Sequence, residues 1–138
     1  MAIITEKFMI NTKGYTDIID ITHKVQDIVG IANVKNANVC VYTAGSTVSI
    51  TTVEYEPGLL QDLPEALEKI APADKDYFHN QRWNDGNGSA HIRAAIVGNS
   101  INIPMLDGHL LLGTWQQIVL IDFDNKPRTR VITVQIIY

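Results

Sequence analysis

The stretch Leu110-Leu-Leu-Gly-Thr-Trp-Gln-Gln-Ile-Val-Leu-Ile-Asp-Phe-Asp-Asn-Lys-Pro-Arg-Thr-Arg-Val-Ile-Thr-Val-Gln-Ile-Ile-Tyr138 decides the fold class. Residues 110–123 read as a long strand, or as a strand with a bulge near Gly113. Asp124-Asn-Lys-Pro127 has turn chemistry, and residues 128–138 alternate as a final strand. Two strands in succession, with no helical segment between them, break strict strand–helix alternation. Upstream, residues 2–10 read as a first strand ending at Asn11-Thr-Lys-Gly14. Residues 37–42 are a short apolar run and residues 48–55 a second one rich in threonine and valine, separated by Thr43-Ala-Gly-Ser-Thr47 and placed to pair as antiparallel neighbours. Residues 101–105 form another strand, with Pro104 near its end or edge, and Leu106-Asp-Gly-His109 turns it.

Helices are inserted singly among these strands. Ile21, Val25, Ile28 and Val29 recur at helical spacing, with Asp20 or Thr22 as cap and Gly30 near the end. Leu59, Leu60, Leu63, Leu67 and Ile70 trace one face of a second helix. Pro64 leaves two forms open: a kinked helix from Gly58, or a turn followed by a helix from Asp62, whose spacing to Glu65 fits a capping box. A short helix over residues 90–97 has Ser89 as N-cap and Gly98 as its stop. The pattern is α+β, with a largely antiparallel sheet and a few short helices.

With 138 residues the chain is the size of one domain with one core. Hydrophobic residues at 46% and charged residues at 19% are ordinary for a globular fold, and the low charge allows part of the surface to be buried in an oligomer. Eleven Lys plus Arg against fifteen Asp plus Glu give a net charge of -4, which argues against nucleic-acid binding. The single cysteine, Cys40, lies in an apolar run, reads as a buried small hydrophobe, and excludes an intramolecular disulfide. No run approaches the ~18 apolar residues of a membrane span, and Met1-Ala-Ile-Ile-Thr-Glu-Lys7 has no charged leader before an apolar segment. A soluble cytoplasmic protein is the expectation.

Chemistry concentrates in Tyr77-Phe-His-Asn-Gln-Arg-Trp-Asn-Asp-Gly-Asn-Gly-Ser-Ala-His-Ile-Arg93, with two of the four histidines and one of the two tryptophans. Asp85-Gly-Asn-Gly-Ser89 places two glycines before a helix start, where unpaired amides and the helix dipole suit an anion; an N-capping turn without a ligand is the alternative. His91 falls in the first helical turn, where the dipole favours a neutral imidazole able to bind metal or exchange hydrogen bonds. With His79 it makes two metal donors, and Glu54, Asp85 or His109 could supply a third. Glu54 is also a candidate general base, and Ser46 and Thr47 could act as nucleophiles only with a base in reach. His23 reads as a solvated helical side chain.

His79, Trp83 with Asp85-Gly-Asn-Gly-Ser-Ala-His-Ile-Arg-Ala94, Gly98-Asn-Ser-Ile-Asn-Ile-Pro104 and Asp107-Gly-His-Leu-Leu-Leu-Gly-Thr-Trp-Gln116 together resemble the YjbQ family, also called UPF0047, over nearly the whole chain. The resemblance implies a compact α+β sandwich, a homotrimer, and a secondary thiamine-phosphate synthase activity. His79 and His91 match family histidines, Thr114-Trp-Gln116 matches a family signature, and Glu54 matches an acidic residue after the second strand. Where many members carry a histidine, this chain has Gly45, and His109 stands where a basic residue is usual. The implied reaction joins a pyrimidine diphosphate to a thiazole phosphate. On that reading Gly86, Asn87, Gly88, Ser89 and Arg93 hold phosphate and Asp85 adjoins them. A divalent metal (Zn or Mg) on His79 and His91 neutralises the leaving group, and Trp115 and Gln116 line the pocket. Three classes remain open: an enzyme acting on a small phosphorylated molecule, a metal- or ligand-binding protein, and a structural oligomer. An enzyme should gather His79, His91 and Glu54 in one pocket.

Overall fold

A computed structural model describes every residue from Met1 to Tyr138. Its element order is β1 (Ile3–Thr12), β2 (Asp17–Asp20), α1 (Thr22–Ala32), β3 (Ala37–Thr43), β4 (Val48–Val53), α2 (Leu59–Ile70), α3 (Phe78–Trp83), α4 (Gly88–Val97), β5 (Ser100–Leu106), β6 (His109–Leu110), β7 (Gln117–Asp122) and β8 (Arg128–Ile137). The strands form two sheets, β1-β8-β3-β5-β6 and β2-β7-β4, and every pairing is antiparallel. The antiparallel α+β pattern expected from the strand pairs, and the sandwich implied by the family resemblance, are the observed fold.

β7 explains the layering. Its run Ile118-Val-Leu-Ile121 is buried on both faces, which is why it reads as continuously apolar rather than alternating. Ile118 and Leu120 face the inner side of the large sheet, joining Val39, Val41, Ile132, Val134 and Ile136 in the main core with Val25 and Val29 of α1. Val119 and Ile121 face the other way, against Leu67 of α2 and Ala90 and Ala94 of α4. Each fully buried Ile, Leu or Val favours the fold by about 1.5–3 kcal/mol over its exposed state.

Several local expectations change. β3 and β4 do not pair: β3 lies between β5 and β8, and β4 lies beside β7. Their apolar faces meet across the sandwich instead, since Val41 and Val48 share the core, and residues 44–47 carry the chain from one sheet to the other. The long strand over residues 110–123 is two strands in different sheets. The side chain of Gln116 turns back to accept from the Gly113 amide at 2.9 Å, closing the loop between them. β2 and α3 lie in segments that show no strand or helix period. α2 runs from Leu59, because the Glu56 carboxylate accepts from the Gly58 and Leu59 amides and caps it there, leaving Pro64 inside the helix. α4 begins at Gly88, before Ser89, with Asn87 in the capping position. At the start of α1, Asp20 Oδ1 accepts from the Thr22 amide at 2.9 Å. Cys40 is half-buried on the outer face of the large sheet, because its parity in β3 is opposite to that of Val39 and Val41.

Candidate functional site

The polar residues gather where the chain changes sheets. Residues 13–16, 44–47 and 123–127 each cross between the two sheets at the same end, and α4 returns to β5 there through Gly98 and Asn99. Backbone leaving a ladder needs other partners. The Thr43 amide donates to the Asn99 carbonyl at 3.0 Å, and the Phe123 amide to the Thr47 carbonyl at 2.9 Å.

Side chains complete this end. Asp122 continues the parity of Ile118 and Leu120, and Arg130 that of Ile132 and Val134, so the two inner faces bring them together. Arg130 Nε donates to Asp122 Oδ2 at 2.7 Å and Nη2 to Asp122 Oδ1 at 2.9 Å, a two-pronged pair of the strong kind. Thr12 Oγ1 donates to the same carboxylate at 2.6 Å. Asp124 is fully buried and accepts from Thr47 Oγ1, Asn87 Nδ2, Arg128 Nε and the Asn125 amide. Burial alone would raise its pKa, but the donors from Asn87, Asn125 and Arg128 outweigh it, and the carboxyl sits below its usual range. Asp122, Asp124, Arg128 and Arg130 escape a reading based on turn chemistry. The signal available was charge at period two on both sides of the turn, which puts each pair on one face of its strand.

Of the residues anticipated from the sequence, His79 and His91 do meet: their ring centroids are 4.2 Å apart and the planes tilt by 39°. α3 and the left-handed Asn84 bring His79 back over α4. Gly88 makes this approach possible, since a Cβ there would lie 2.7 Å from Tyr77 Cβ. His91 is held below its ordinary pKa by desolvation first and by His79 second, with Asp85 and Asp124 opposing. His79 Nδ1 is sealed from solvent without a hydrogen bond; Asp85 Oδ1 is 3.4 Å away, within ion-pair range but poorly directed. His91 lines a cleft of about 300 Å³ with Gly45, Ser46, Val48, Ala94, Gly98 and Asn99. Ser46 therefore shares this cleft with His91, while Thr47 is buried in the Arg130 network.

The anticipated phosphate clamp is engaged in part, at the Gly88 amide and at Arg93, and its residues lie outside the His91 cleft. Asn80 Oδ1 accepts from the Gly88 amide at 2.8 Å, and the Ala90 and His91 amides bond to the Asn87 carbonyl. Arg93 points to the other side of α4. Its Nε and Nη2 bond to the Ala71 carbonyl, Nη1 to Thr16 Oγ1, and Nη2 also to Glu68. It lines a separate cleft of about 490 Å³ with Gly86, Asn87, Ser89, Thr16 and Glu68.

Glu54, Trp115 and Gln116 are also separated from the histidines. β4 runs from Val48, beside the His91 cleft, to Val53, so at about 3.3 Å per residue Glu54 lies roughly 20 Å away. Gln116 Nε2 donates to Thr52 Oγ1 at that far end, and Trp115 is 72% exposed. His109 opens β6 at the far end of β5, just after the turn where Asp107 and Gly108 take positive φ. A pocket uniting His79, His91 and Glu54 does not form within the chain.

The donor set does not fit a resident metal. Two imidazoles remain, Gly45 brings no side chain, and no group of three or more His, Cys, Asp and Glu side chains is arranged to hold an ion. Zinc sites use at least three protein ligands, and magnesium prefers oxygens.

Comparison with known proteins agrees with this architecture. A model of the family described as UPF0047 protein YjbQ-like matches residues 6–138. A UPF0047 protein of Archaeoglobus fulgidus is 40% identical over 126 residues, covering 91% of this chain and 95% of that one. One from Methanothermobacter thermautotrophicus is 34% identical, covering 99% and 93%. A YbjQ-like protein of unknown function from Sulfolobus solfataricus superposes with a TM-score of 0.92 at 30% identity, covering 98% and 96%. No helix of the chain is long and apolar enough to cross a membrane. By sequence and by structure, the chain belongs to the YjbQ/UPF0047 family.

Proposed function

We propose that the protein is a small-molecule enzyme, a transferase of the thiamine-phosphate synthase type, acting on a phosphorylated substrate in the His91 cleft. One observation carries the reading: a neutral-leaning His91 sits ring to ring with His79 on the wall of a cleft that also presents the Ser46 hydroxyl. In the reaction, the thiazole nitrogen gives its lone pair to the pyrimidine methylene carbon, and the carbon–oxygen bond to diphosphate breaks with its electrons leaving on oxygen. A neutral imidazole, the form its lowered pKa favours, donates a hydrogen bond to that oxygen as charge develops. His79 packs on His91 and orients its ring. No metal takes part in this scheme. His79→Ala and His91→Ala should each lower thiamine phosphate formation by about 10²-fold or more. Unchanged turnover in both would sink the assignment.

A second reading, binding of a phosphorylated ligand without robust catalysis, is favoured by the position of Glu54, which leaves the histidines without that carboxylate. It predicts that both variants lose ligand binding while the wild type shows no turnover.

The reading includes a homotrimer, with the outer face of the large sheet as its interface. Ile3, Met9, Tyr42, Leu106 and Val131 are exposed there, and Lys7 is the one charge among the outward positions of β1, β8, β3 and β5. Sedimentation at micromolar concentration should give the mass of three chains; a monomer would rule the trimer out.

A further inference from the structure

Arg130 is nine-tenths buried, and its guanidinium is locked on two of its three nitrogens. Nε and Nη2 hold Asp122, and Nη2 also donates to Thr47 Oγ1 at 2.8 Å. Nη1 makes no hydrogen bond, yet it is not among the polar atoms sealed from solvent without a partner, which are His79 Nδ1 and Asn87 Oδ1. It is therefore an open donor. Its direction is given by Gly45: a Cβ at that position would stand 3.1 Å from Nη1 and 2.8 Å from Val48 Cγ1. Gly45 and Val48 both line the His91 cleft. Any side chain at residue 45 would occupy the space in front of Nη1.

We propose that Gly45 opens a slot in the His91 cleft through which a phosphate oxygen of the ligand accepts a hydrogen bond from Arg130 Nη1. Arg130 is thus a ligand-binding residue of this chain, held in position by Asp122 and Thr47. Planar guanidinium donors with one edge already fixed suit this task, because little freedom is left to lose on binding. Asp122 and Asp124 balance Arg130 and Arg128 in number, so recognition rests on one directed hydrogen bond and not on a strong positive field. The ligand's phosphate enters beside Ser46 and leaves its organic part toward His91. This inference rests on the reading of the His91 cleft as a ligand site.

The test uses inorganic phosphate as the probe, at millimolar concentration. Calorimetric titration of the wild type should saturate, and the side-chain N–H resonances of Arg130 should shift as it does. Gly45→Ala, whose Cβ crowds Val48 Cγ1 at a φ of +155°, should melt below the wild type and bind phosphate about tenfold more weakly, equivalent to about 1.4 kcal/mol. Should the variant fail to fold, the Arg130 resonances of the wild type still decide. Absence of saturable binding, Arg130 signals that do not move, or equal affinity in Gly45→Ala each overturns the slot. The two proposals fail separately. Loss of turnover in His91→Ala with equal phosphate affinity in Gly45→Ala keeps the cleft and removes the slot; the opposite pattern keeps the slot and removes the histidine chemistry.

Discussion

Arg93 and Arg130 are both almost fully buried, and they serve opposite sides of α4. Arg93 has every nitrogen engaged, by the Ala71 carbonyl, Thr16 and Glu68, and it ties α4 to α2 and to the crossing after β1. Arg130 has two nitrogens engaged and a third facing the gap at Gly45. A buried cation with all donors matched is a fastener. One with a donor left open beside a cleft is positioned to receive something. Sequence position alone favoured Arg93, because it stands beside the histidines.

The largest test of this contrast is Asp122→Ala. It strips the fully buried carboxylate from Arg130, Thr12 and the Asp124 amide, and should cost about 3–5 kcal/mol in denaturant unfolding, since an uncompensated buried charge remains. A loss under about 1 kcal/mol would mean that the network does not clamp the two sheets. Arg93→Ala comes next, at about 2–3 kcal/mol. Its hydrogen bonds to the Ala71 carbonyl are buried and that to Thr16 partly so, but Glu68 is half-exposed, and the pair is discounted for screening. If Arg93 only fastens, phosphate affinity at the His91 cleft stays as in the wild type.

The pH dependence of stability separates the same two regions. His91 is held below its ordinary 6.5 in the folded chain. As pH falls through that value, the unfolded chain takes up the proton first, so stability drops until pH passes below the folded value; above 6.5 the group contributes nothing. His91→Gln should abolish this step in a series of melting curves. Asp124 behaves in a lower window. Its folded pKa lies below 3.8, so its contribution is present above 3.8 and disappears as pH falls through the folded value. A melting profile with no inflection below neutrality would count against the desolvated pair.

Trp115→Ala carries the smallest expectation. The indole is mostly exposed and lies on the side of the fold away from the histidines, so stability should change by less than about 0.5 kcal/mol and phosphate affinity should be unaffected. A clear loss of phosphate binding would restore Trp115 to the site.

The layers were legible because burial writes itself into period and run length. β7 announced itself by Ile118-Val-Leu-Ile121, and β8 by Ile132, Val134 and Ile136. Partner choice was not legible. Val39, Val41, Val48 and Ile50 look the same whether their strands lie edge to edge or face to face, and only the crossing at residues 44–47 decides between them. His79 and His91 could be singled out because residue type carries their chemistry. Asp122 and Arg130 could not, because their meaning comes from two strands of different sheets whose inner faces oppose each other. Arg93 misled for the converse reason: proximity in sequence to His91 placed it two residues along a helix, on a different side.

The central claim, that the open donor at Arg130 and the histidine pair define one ligand site, is tested most directly by mapping backbone amide shifts during a phosphate titration. Perturbations should be confined to residues 45–48, 91, 94–99 and 130, with Thr16, Glu68, Ala71 and Arg93 unmoved. Shifts centred on those last four, on the Arg93 side of α4, would contradict the claim.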